Sequence, residues 1–162
     1  MKYILIFTLL ITTVLSCQSR EETQFSVEAL NDDLINLQGD SVPFKSILEK
    51  HNGRTVFIDV WASWCKDCLK GLPEVKKLQE THPEIDFVYL SLDKSQAAWK
   101  KGINRLKISG DHYFMQSGWK GALGTFLGLD WIPRYLIIDK EGGIKVFNAI
   151  ETTNKKLLNN LK

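Results

Sequence analysis

Two cysteines, Cys65 and Cys68, have only two residues between them and are the side chains of this sequence best suited to chemistry. They follow an apolar run at 56–60 that is typical of a buried strand, and they precede apolar residues with helical spacing at 69–78. Unsatisfied N–H groups and the helix dipole at a helix N-terminus favour a thiolate, which lowers the pKa of a cysteine below its free value of about 8.5. We therefore predict that Cys65 is an attacking sulfur, and that Cys68, one turn further in and less exposed, is a resolving sulfur.

The elements that must position this pair alternate between strands and helices. Residues 25–37 predict a small hairpin around a turn at 31–33. Strands are predicted at 54–61, 85–92, 112–115, 135–138 and 144–150, and helices at 42–50, 65–82, 95–106, 119–127 and 154–161. This order predicts an α/β domain with a central mixed sheet and helices on both of its faces.

Length and composition limit the classes of protein that this chain can belong to. A chain of 162 residues is long enough for one domain with a proper core. The net charge of +2 gives no reason to expect a nucleic-acid partner or a polybasic membrane patch. Three cysteines are too few for a disulfide scaffold.

The first 17 residues have the pattern of an export signal. Lys2 is followed by an apolar stretch at 3–15, which is shorter than the roughly 20 residues of a membrane-spanning helix. The stretch ends in Val-Leu-Ser-Cys, which resembles a bacterial lipobox and marks Cys17 for lipidation; an ordinary signal peptide or a retained anchor are the alternatives. We expect a lipoprotein signal at 1–17, a flexible polar tether at 18–24 and one domain at 25–162.

Two motifs far apart in the chain point to one family. The first is the segment 59–68 with Pro73 behind it, and the second is Trp131-Ile132-Pro133 leading into a strand and an Asp-Lys-Glu-Gly turn. Together they resemble the thioredoxin superfamily. The extra strand–helix segment between residues 92 and 130, with the lipobox, narrows the resemblance to the TlpA-like (ResA-like) membrane-anchored thiol-disulfide oxidoreductases of bacteria. The resemblance implies a thioredoxin-like fold with the TlpA-type insertion.

The resemblance also implies roles for the residues around the pair. Cys65 matches the nucleophile of the family, Cys68 the resolving cysteine with which it forms a redox-active disulfide, and Asp59 the buried acid of thioredoxins. Burial would raise the pKa of Asp59, so that its carboxylate could take the proton of Cys68. The alternative for Asp59 is a structural hydrogen bond at a strand end.

Three further positions match the family's substrate-binding surface. Pro133 matches a cis-proline beside the sulfurs, which leaves the backbone of Ile132 free to bind an extended peptide; a trans proline that opens a strand is the alternative. Trp64 matches a tryptophan that flanks the nucleophile and offers an apolar contact. Trp61 is expected in the core.

The sequence departs from the family pattern at several positions. Gly71 stands where several TlpA-like proteins carry a glutamate, so that acid function is absent or falls on Asp59. Lys66 and Asp67 between the cysteines have opposing effects on a thiolate, and so set no redox potential. Arg134 is expected to be exposed near the sulfurs, where it steers an acidic partner, favours a thiolate or is a plain surface residue. The three histidines are expected on the surface or in loops and form no metal site with the pair.

These observations predict an extracytoplasmic, lipid-anchored thiol-disulfide oxidoreductase that acts mainly as a reductase of protein disulfides. It would need no cofactor and no metal, and a membrane thiol donor would have to re-reduce it in an oxidising compartment. By analogy its substrates would include apocytochrome c thiols or other oxidised envelope proteins. A disulfide oxidase or isomerase on the same fold and a non-catalytic binding module are the alternatives, and a peroxidase is disfavoured because its characteristic loop is missing.

Overall fold

The structure, a computed structural model, describes residues 22–161. The strands are β1 (Asp33–Ile35), β2 (Ser41–Pro43), β3 (Val56–Trp61), β4 (Asp86–Ser91), β5 (Asp111–Phe114), β6 (Arg134–Ile138) and β7 (Ile144–Ala149). The helices are α1 (Val27–Leu30), α2 (Phe44–Lys50), α3 (Lys66–Thr81), α4 (Gln96–Leu106), α5 (Ala122–Phe126) and α6 (Lys155–Asn159), with a 3-10 helix at Gly118–Lys120. The predicted signal at 1–17, Cys17 included, lies outside the described residues. Within residues 22–161 no helix combines the length and the hydropathy that a membrane span requires.

All seven strands of the described chain form one mixed sheet in the order β2-β1-β5-β4-β3-β6-β7. β3 runs parallel to β4 and antiparallel to β6, and all six of its residues are buried. A strand covered on both faces reads as a continuous apolar run, which is why the segment before the cysteines was recognisable. Between residues 92 and 130, where an extra strand–helix segment is predicted, the chain forms α4, β5 and α5, and β5 adds a parallel strand beside β4. The predicted thioredoxin-like α/β fold is confirmed.

The core on one face of the sheet is largely aromatic. The rings of Phe57 and Phe87 stack with centroids 5.0 Å apart, and the ring of Tyr135 lies 5.5 Å from that of Phe57. α3 buries Cys68, Leu72 and Val75, which are spaced three or four residues apart and so share one side of the helix. Trp61 is buried in the core, as predicted. The packing of α3 therefore fixes the helix whose first turn carries the cysteine pair.

Three predicted elements differ from the structure. The helix predicted from residue 42 begins at Phe44, because Ser41–Pro43 pairs with β1 as a short edge strand. The hairpin predicted within 25–37 is instead α1 followed by β1, and the second strand of the hairpin comes from β2. The helix predicted at 119–127 is divided, since Gly121 is extended at ψ 172° between the 3-10 helix and α5.

Two histidines are buried, which corrects the prediction that all three lie on the surface or in loops. His51 follows α2, and its Nδ1 lies 2.8 Å from Asp86 Oδ2 while its Nε2 lies 3.0 Å from Asp111 Oδ2. His112 stacks on Tyr89 with ring centroids 5.0 Å apart, and burial lowers its pKa. The Nε2 of His112 lies 3.2 Å from the carbonyl oxygen of Ile108, whereas its Nδ1 has no hydrogen-bond partner among residues 22–161.

Candidate active site

The cysteine pair lies where the loop after β3 enters α3. Cys65 is the N-cap of α3, and its Sγ accepts a hydrogen bond from the backbone N–H of Cys68 at 3.1 Å. The two sulfurs are joined as a disulfide. The predicted position of Cys65 at the helix N-terminus is confirmed.

The expected difference in exposure between the two cysteines is wrong. Both residues are 5% exposed. The two differ instead in their surroundings: Cys65 lines an open groove on the surface, whereas Cys68 belongs to the side of α3 that faces the core. The two cysteines therefore differ in what they face, the groove for Cys65 and the core for Cys68, and not in how exposed they are.

Ile132 and Pro133 lie directly against the attacking sulfur. The peptide bond between them is cis, as predicted, and the Sγ of Cys65 lies 3.5 Å from the carbonyl oxygen of Ile132. Both residues precede β6, which pairs with β3, so the two halves of the site are held by neighbouring strands. A carbonyl at that distance is an acceptor for the thiol of Cys65 in the reduced protein.

The groove beside Cys65 has a volume of about 500 Å³ and is walled by tryptophans. Trp64 and Trp131, which are 49% and 59% exposed, line it together with Trp119 and with the charged side chains of Lys66, Asp67 and Asp130. Large apolar side chains at such exposure are unusual in a folded protein and mark binding surfaces. Trp64 lies beside the nucleophile, as predicted, whereas Trp119 was predicted only as the first residue of a helix.

Asp59 is buried on β3, with an exposed fraction of 5%. Its Oδ1 has no hydrogen-bond partner among residues 22–161. Because burial removes water from the carboxylate, the pKa of Asp59 is raised from 3.8 to about 8. The predicted direction of this pKa shift is confirmed, and the alternative of a hydrogen-bonded structural aspartate is not what the described residues show.

Gly71 faces a tyrosine hydroxyl. A Cβ at this position of α3 would lie 2.7 Å from the hydroxyl oxygen of Tyr135, closer than non-bonded atoms approach each other. The hydroxyl therefore occupies the space in which a side chain at 71 would begin, and the glutamate of other TlpA-like proteins would not fit beside it. Both residues line a second cavity of about 450 Å³, which has Pro133 and Trp131 in its wall.

Arg134 is buried, which corrects the prediction that it is exposed near the sulfurs. Its Nη1 donates to the carbonyl oxygen of Leu127 at 2.7 Å, and its Nη2 lies 3.4 Å from Asp130 Oδ1. These contacts fasten the loop 127–131 to the start of β6. Arg134 thus supports the loop that carries Trp131, and it is not available to steer a partner.

Asp93 anchors the turn that precedes Cys65, and sequence reasoning did not identify it. Its carboxylate accepts hydrogen bonds from the N–H of Ser63 at 3.1 Å, the hydroxyl of Ser63 at 2.7 Å and the hydroxyl of Ser91 at 2.9 Å. Arg105 of α4 donates to the carbonyl oxygen of Ser63 at 3.0 Å. A sequence signal did exist: Asp93 follows β4, and the carboxyl ends of neighbouring parallel strands meet at one edge of a sheet.

The described residues contain no group of three or more histidine, cysteine, aspartate and glutamate side chains arranged to hold a metal ion. The cysteine pair instead has the features that thiol-disulfide exchange uses. One sulfur caps a helix beside an open groove, the other lies behind it within bonding distance, and a carboxyl with a raised pKa is buried on the preceding strand.

Comparison with known proteins agrees with this geometry. The ResA thiol-disulfide oxidoreductase of Bacillus anthracis is 28% identical over 147 residues, which cover 88% of this chain and 80% of that protein. The solution structure of a candidate thiol-disulfide oxidoreductase from Bacteroides vulgatus superimposes with a TM-score of 0.67 at 27% identity, over 82% of this chain and 85% of the other. A thiol-disulfide oxidoreductase from Bacteroides fragilis shares the fold, with a TM-score of 0.66 at 21% identity over 80% and 93% of the two chains.

A protein-family model described as thioredoxin-like matches residues 52–144, which is more than half of the chain. That stretch runs from the turn before β3 to the start of β7 and contains both cysteines, Asp59 and Pro133. On this match and on the geometry of the pair, the chain belongs to the thioredoxin-like family, as a ResA-like thiol-disulfide oxidoreductase.

Proposed function

We propose that this protein is an extracytoplasmic reductase of protein disulfides, with Cys65 as nucleophile, Cys68 as resolving thiol and Asp59 as proton acceptor. The observation that carries the proposal is the position of the Cys65 sulfur. This sulfur caps α3, accepts a hydrogen bond from the N–H of Cys68 and faces an open groove beside Ile132 and Pro133. A sulfur in this position can ionise and can be reached by another protein.

The reaction has two exchange steps. The thiolate of Cys65 attacks one sulfur of a substrate disulfide, which forms a mixed disulfide and releases the other substrate sulfur as a thiolate. Asp59 then takes the proton of the Cys68 thiol, and the Cys68 thiolate attacks the Cys65 sulfur. The bond between Cys65 and the substrate breaks, so the substrate gains two electrons as two thiols and the enzyme is left with the Cys65–Cys68 disulfide.

The groove supplies the substrate contacts in this proposal. An extended peptide on the backbone of Ile132 and Pro133 would place its cysteine against Cys65, with the exposed ring of Trp64 packed on a neighbouring apolar side chain. Because the groove is open and is lined by exposed tryptophans, a segment of a protein chain can lie in it beside Cys65. Protein disulfides are therefore the proposed substrates, cytochrome c precursors and other envelope proteins among them.

Location and re-reduction complete the proposal. Cys17, which lies outside the described residues, is the proposed site of lipidation, and the tether at 18–24 would hold the domain near the membrane. In an oxidising compartment a disulfide left after each turnover must be reduced again, so a membrane protein that donates thiols is the proposed electron source. Replacing Cys17 by Ala should release the protein from the membrane fraction, and retention in that fraction would contradict the anchor.

The test of function is a trapping experiment in the native cell. Cys68→Ala should accumulate mixed disulfides between Cys65 and its substrates, whereas the matched control Cys65→Ala should trap nothing and lose disulfide reduction. Identification of the trapped proteins names the substrates. Reduction that survives in Cys65→Ala would remove the assignment of the nucleophile.

The direction of the reaction is tested by the reduction potential of the Cys65–Cys68 pair. A reductase should have a potential closer to the roughly −270 mV of thioredoxin than to the roughly −120 mV of the oxidant DsbA. A potential near the oxidising end would instead make the protein an oxidase.

A further inference from the structure

Asp59 has to lose a proton after every turnover, and its own surroundings offer no exit. Its side chain is buried on the central strand, and no described residue hydrogen-bonds its Oδ1. A group that accepts a proton from Cys68 and keeps it would support one turnover only. The fold must therefore provide a route between this carboxyl and solvent.

Two tyrosines flank Asp59 in the sheet. Tyr89 of β4 and Tyr135 of β6 are its direct partners in the parallel and antiparallel ladders. Residues opposed in adjacent strands project to the same face with Cβ atoms about 5 Å apart. The carboxyl therefore lies between two phenol rings, and burial, with the charge of Asp59 as a smaller cause, raises the pKa of both phenols.

The hydroxyl groups of these two tyrosines end in different places. The Tyr89 hydroxyl is buried and has no hydrogen-bond partner among residues 22–161, and its ring stacks on His112 in the core. The Tyr135 hydroxyl reaches α3 at Gly71, and Tyr135 lines the cavity of about 450 Å³ there. That cavity opens to solvent, since Trp131 and Ile150 in its wall are 59% and 55% exposed.

We propose that Tyr135 is a positioning residue that connects Asp59 to the cavity at Gly71, so that the proton taken from Cys68 leaves through the Tyr135 hydroxyl. The inference rests on the proposed function, because it needs Asp59 to accept that proton. The route also requires glycine at position 71, because any side chain there would displace the Tyr135 hydroxyl.

The proton balance of this route leaves Tyr135 unchanged. Protonated Asp59 gives its proton, through a bridging water, to the hydroxyl oxygen of Tyr135, and the hydroxyl passes its own proton to water in the cavity. Asp59 is then a carboxylate again. The charged groups that line the cavity are Asp67, Lys70 and Glu74 on α3 and Glu151 after β7.

The test uses Tyr135→Phe, which removes the hydroxyl and keeps the ring that packs on Phe57, with Tyr89→Phe as the matched control on the other side of Asp59. Reduced protein reacts with dithionitrobenzoate, an aromatic disulfide that releases one coloured thiolate on attack by Cys65 and a second on resolution by Cys68. The two releases therefore report the two steps separately. Each variant is measured across a range of pH, in the native background and with Asp59→Asn.

We expect Tyr135→Phe to leave the first release unchanged and to slow the second release by about tenfold below pH 8, where Asp59 must lose its proton to solvent before it can accept that of Cys68; this is part of the hundredfold or more that a general base contributes. Tyr89→Phe should change neither. In wild type the second release should accelerate as pH rises through about 8, where Asp59 ionises, and the effect of Tyr135→Phe should disappear above that pH, where Asp59 is already a carboxylate. With Asp59→Asn present, Tyr135→Phe should have no further effect, because the two residues act in series.

Four results would overturn the inference: equal effects of Tyr135→Phe and Tyr89→Phe, a second release unchanged below pH 8, an undiminished effect of Tyr135→Phe with Asp59→Asn present, or equal slowing of both releases. Failure of the wild-type protein to give a second release would instead overturn the proposed function itself. A purely structural role for Tyr135 would slow both releases together, and would count against the proton route as well.

Discussion

Replacement of Gly71 by alanine probes the contact between α3 and Tyr135. In the interior of a helix alanine is favoured over glycine by about 1 kcal/mol. The new Cβ, however, would lie 2.7 Å from the Tyr135 hydroxyl oxygen, and the tyrosine is only 1% exposed, so its ring cannot swing away. Overpacking of this kind costs about 1–3 kcal/mol. We expect Gly71→Ala to lower the free energy of unfolding by up to about 2 kcal/mol in spite of its better helix propensity.

Removal of the hydroxyl should reverse the sign of that effect. In Tyr135→Phe the nearest remaining atom to the new Cβ is the ring carbon Cζ at 3.9 Å, an ordinary van der Waals contact. Gly71→Ala in this background should then raise the free energy of unfolding by up to about 1 kcal/mol. The coupling between the two substitutions is therefore expected to be about 1–3 kcal/mol.

Urea unfolding of the oxidised protein, followed by tryptophan fluorescence, measures all four members of this cycle. Gly102→Ala is the matched control, because a Cβ at Gly102 in α4 would collide with Ser63 and not with Tyr135. It should be destabilising to the same extent with Tyr135 or Phe at residue 135. If Gly71→Ala changes the free energy of unfolding by the same amount in both backgrounds, the placement of the Tyr135 hydroxyl against α3 is wrong.

Four other substitutions test the electrostatic features of the fold. Because folding raises the pKa of Asp59 from 3.8 to about 8, the folded state holds a proton between these pH values that the unfolded state has lost. The free energy of unfolding should therefore fall as pH rises from about 4 to about 8, by at most about 1.4 kcal/mol per pH unit. Asp59→Asn should abolish this fall in urea titrations. His51→Gln, which breaks the contacts of the buried imidazole to two carboxylates, should lower the free energy of unfolding by about 1–3 kcal/mol. Lys45→Ala, which removes only the exposed ion pair with Glu49, should lower it by under about 0.5 kcal/mol, and equal losses for the two variants would contradict the importance of the buried contacts. Asp93→Ala should lower the free energy of unfolding by about 1–3 kcal/mol and slow the alkylation of Cys65 in the reduced protein, because the N–H and hydroxyl of Ser63 lose their acceptor. Unchanged stability and alkylation would show that Asp93 does not hold the turn before Cys65.

The centre of the site could be predicted because local signals and the fold agree there. An apolar strand, a cysteine pair and a helical repeat follow one another directly, so the strand–turn–helix geometry of Cys65 is fixed by neighbours in the sequence. The buried Asp59 and the cis bond before Pro133 came from the family resemblance, since neither burial nor a cis bond can be derived from spacing. Confirmation of both shows that the resemblance extends to the backbone around the pair.

The errors fall where long-range contacts override local chemistry. Arginine is rarely buried, and nothing near Arg134 in the sequence shows that the carbonyl of Leu127 would turn back to receive it. His51 is buried by carboxylates on β4 and β5, which are distant in the chain. The edge strand β2 has only three residues and depends on β1 for its partner, so its sequence alone resembles the start of a helix.

The ionisation of Cys65 in the reduced protein is the most direct test of the account. Alkylation by iodoacetamide as a function of pH, with each modified cysteine located by mass spectrometry, separates the two sulfurs. The sulfur at the helix N-terminus should react first, with a midpoint below the roughly 8.5 of a free cysteine, and Cys68 should react only at higher pH. A Cys65 midpoint at or above that value, or modification of Cys68 before Cys65, would contradict the assignment of Cys65 as the attacking sulfur.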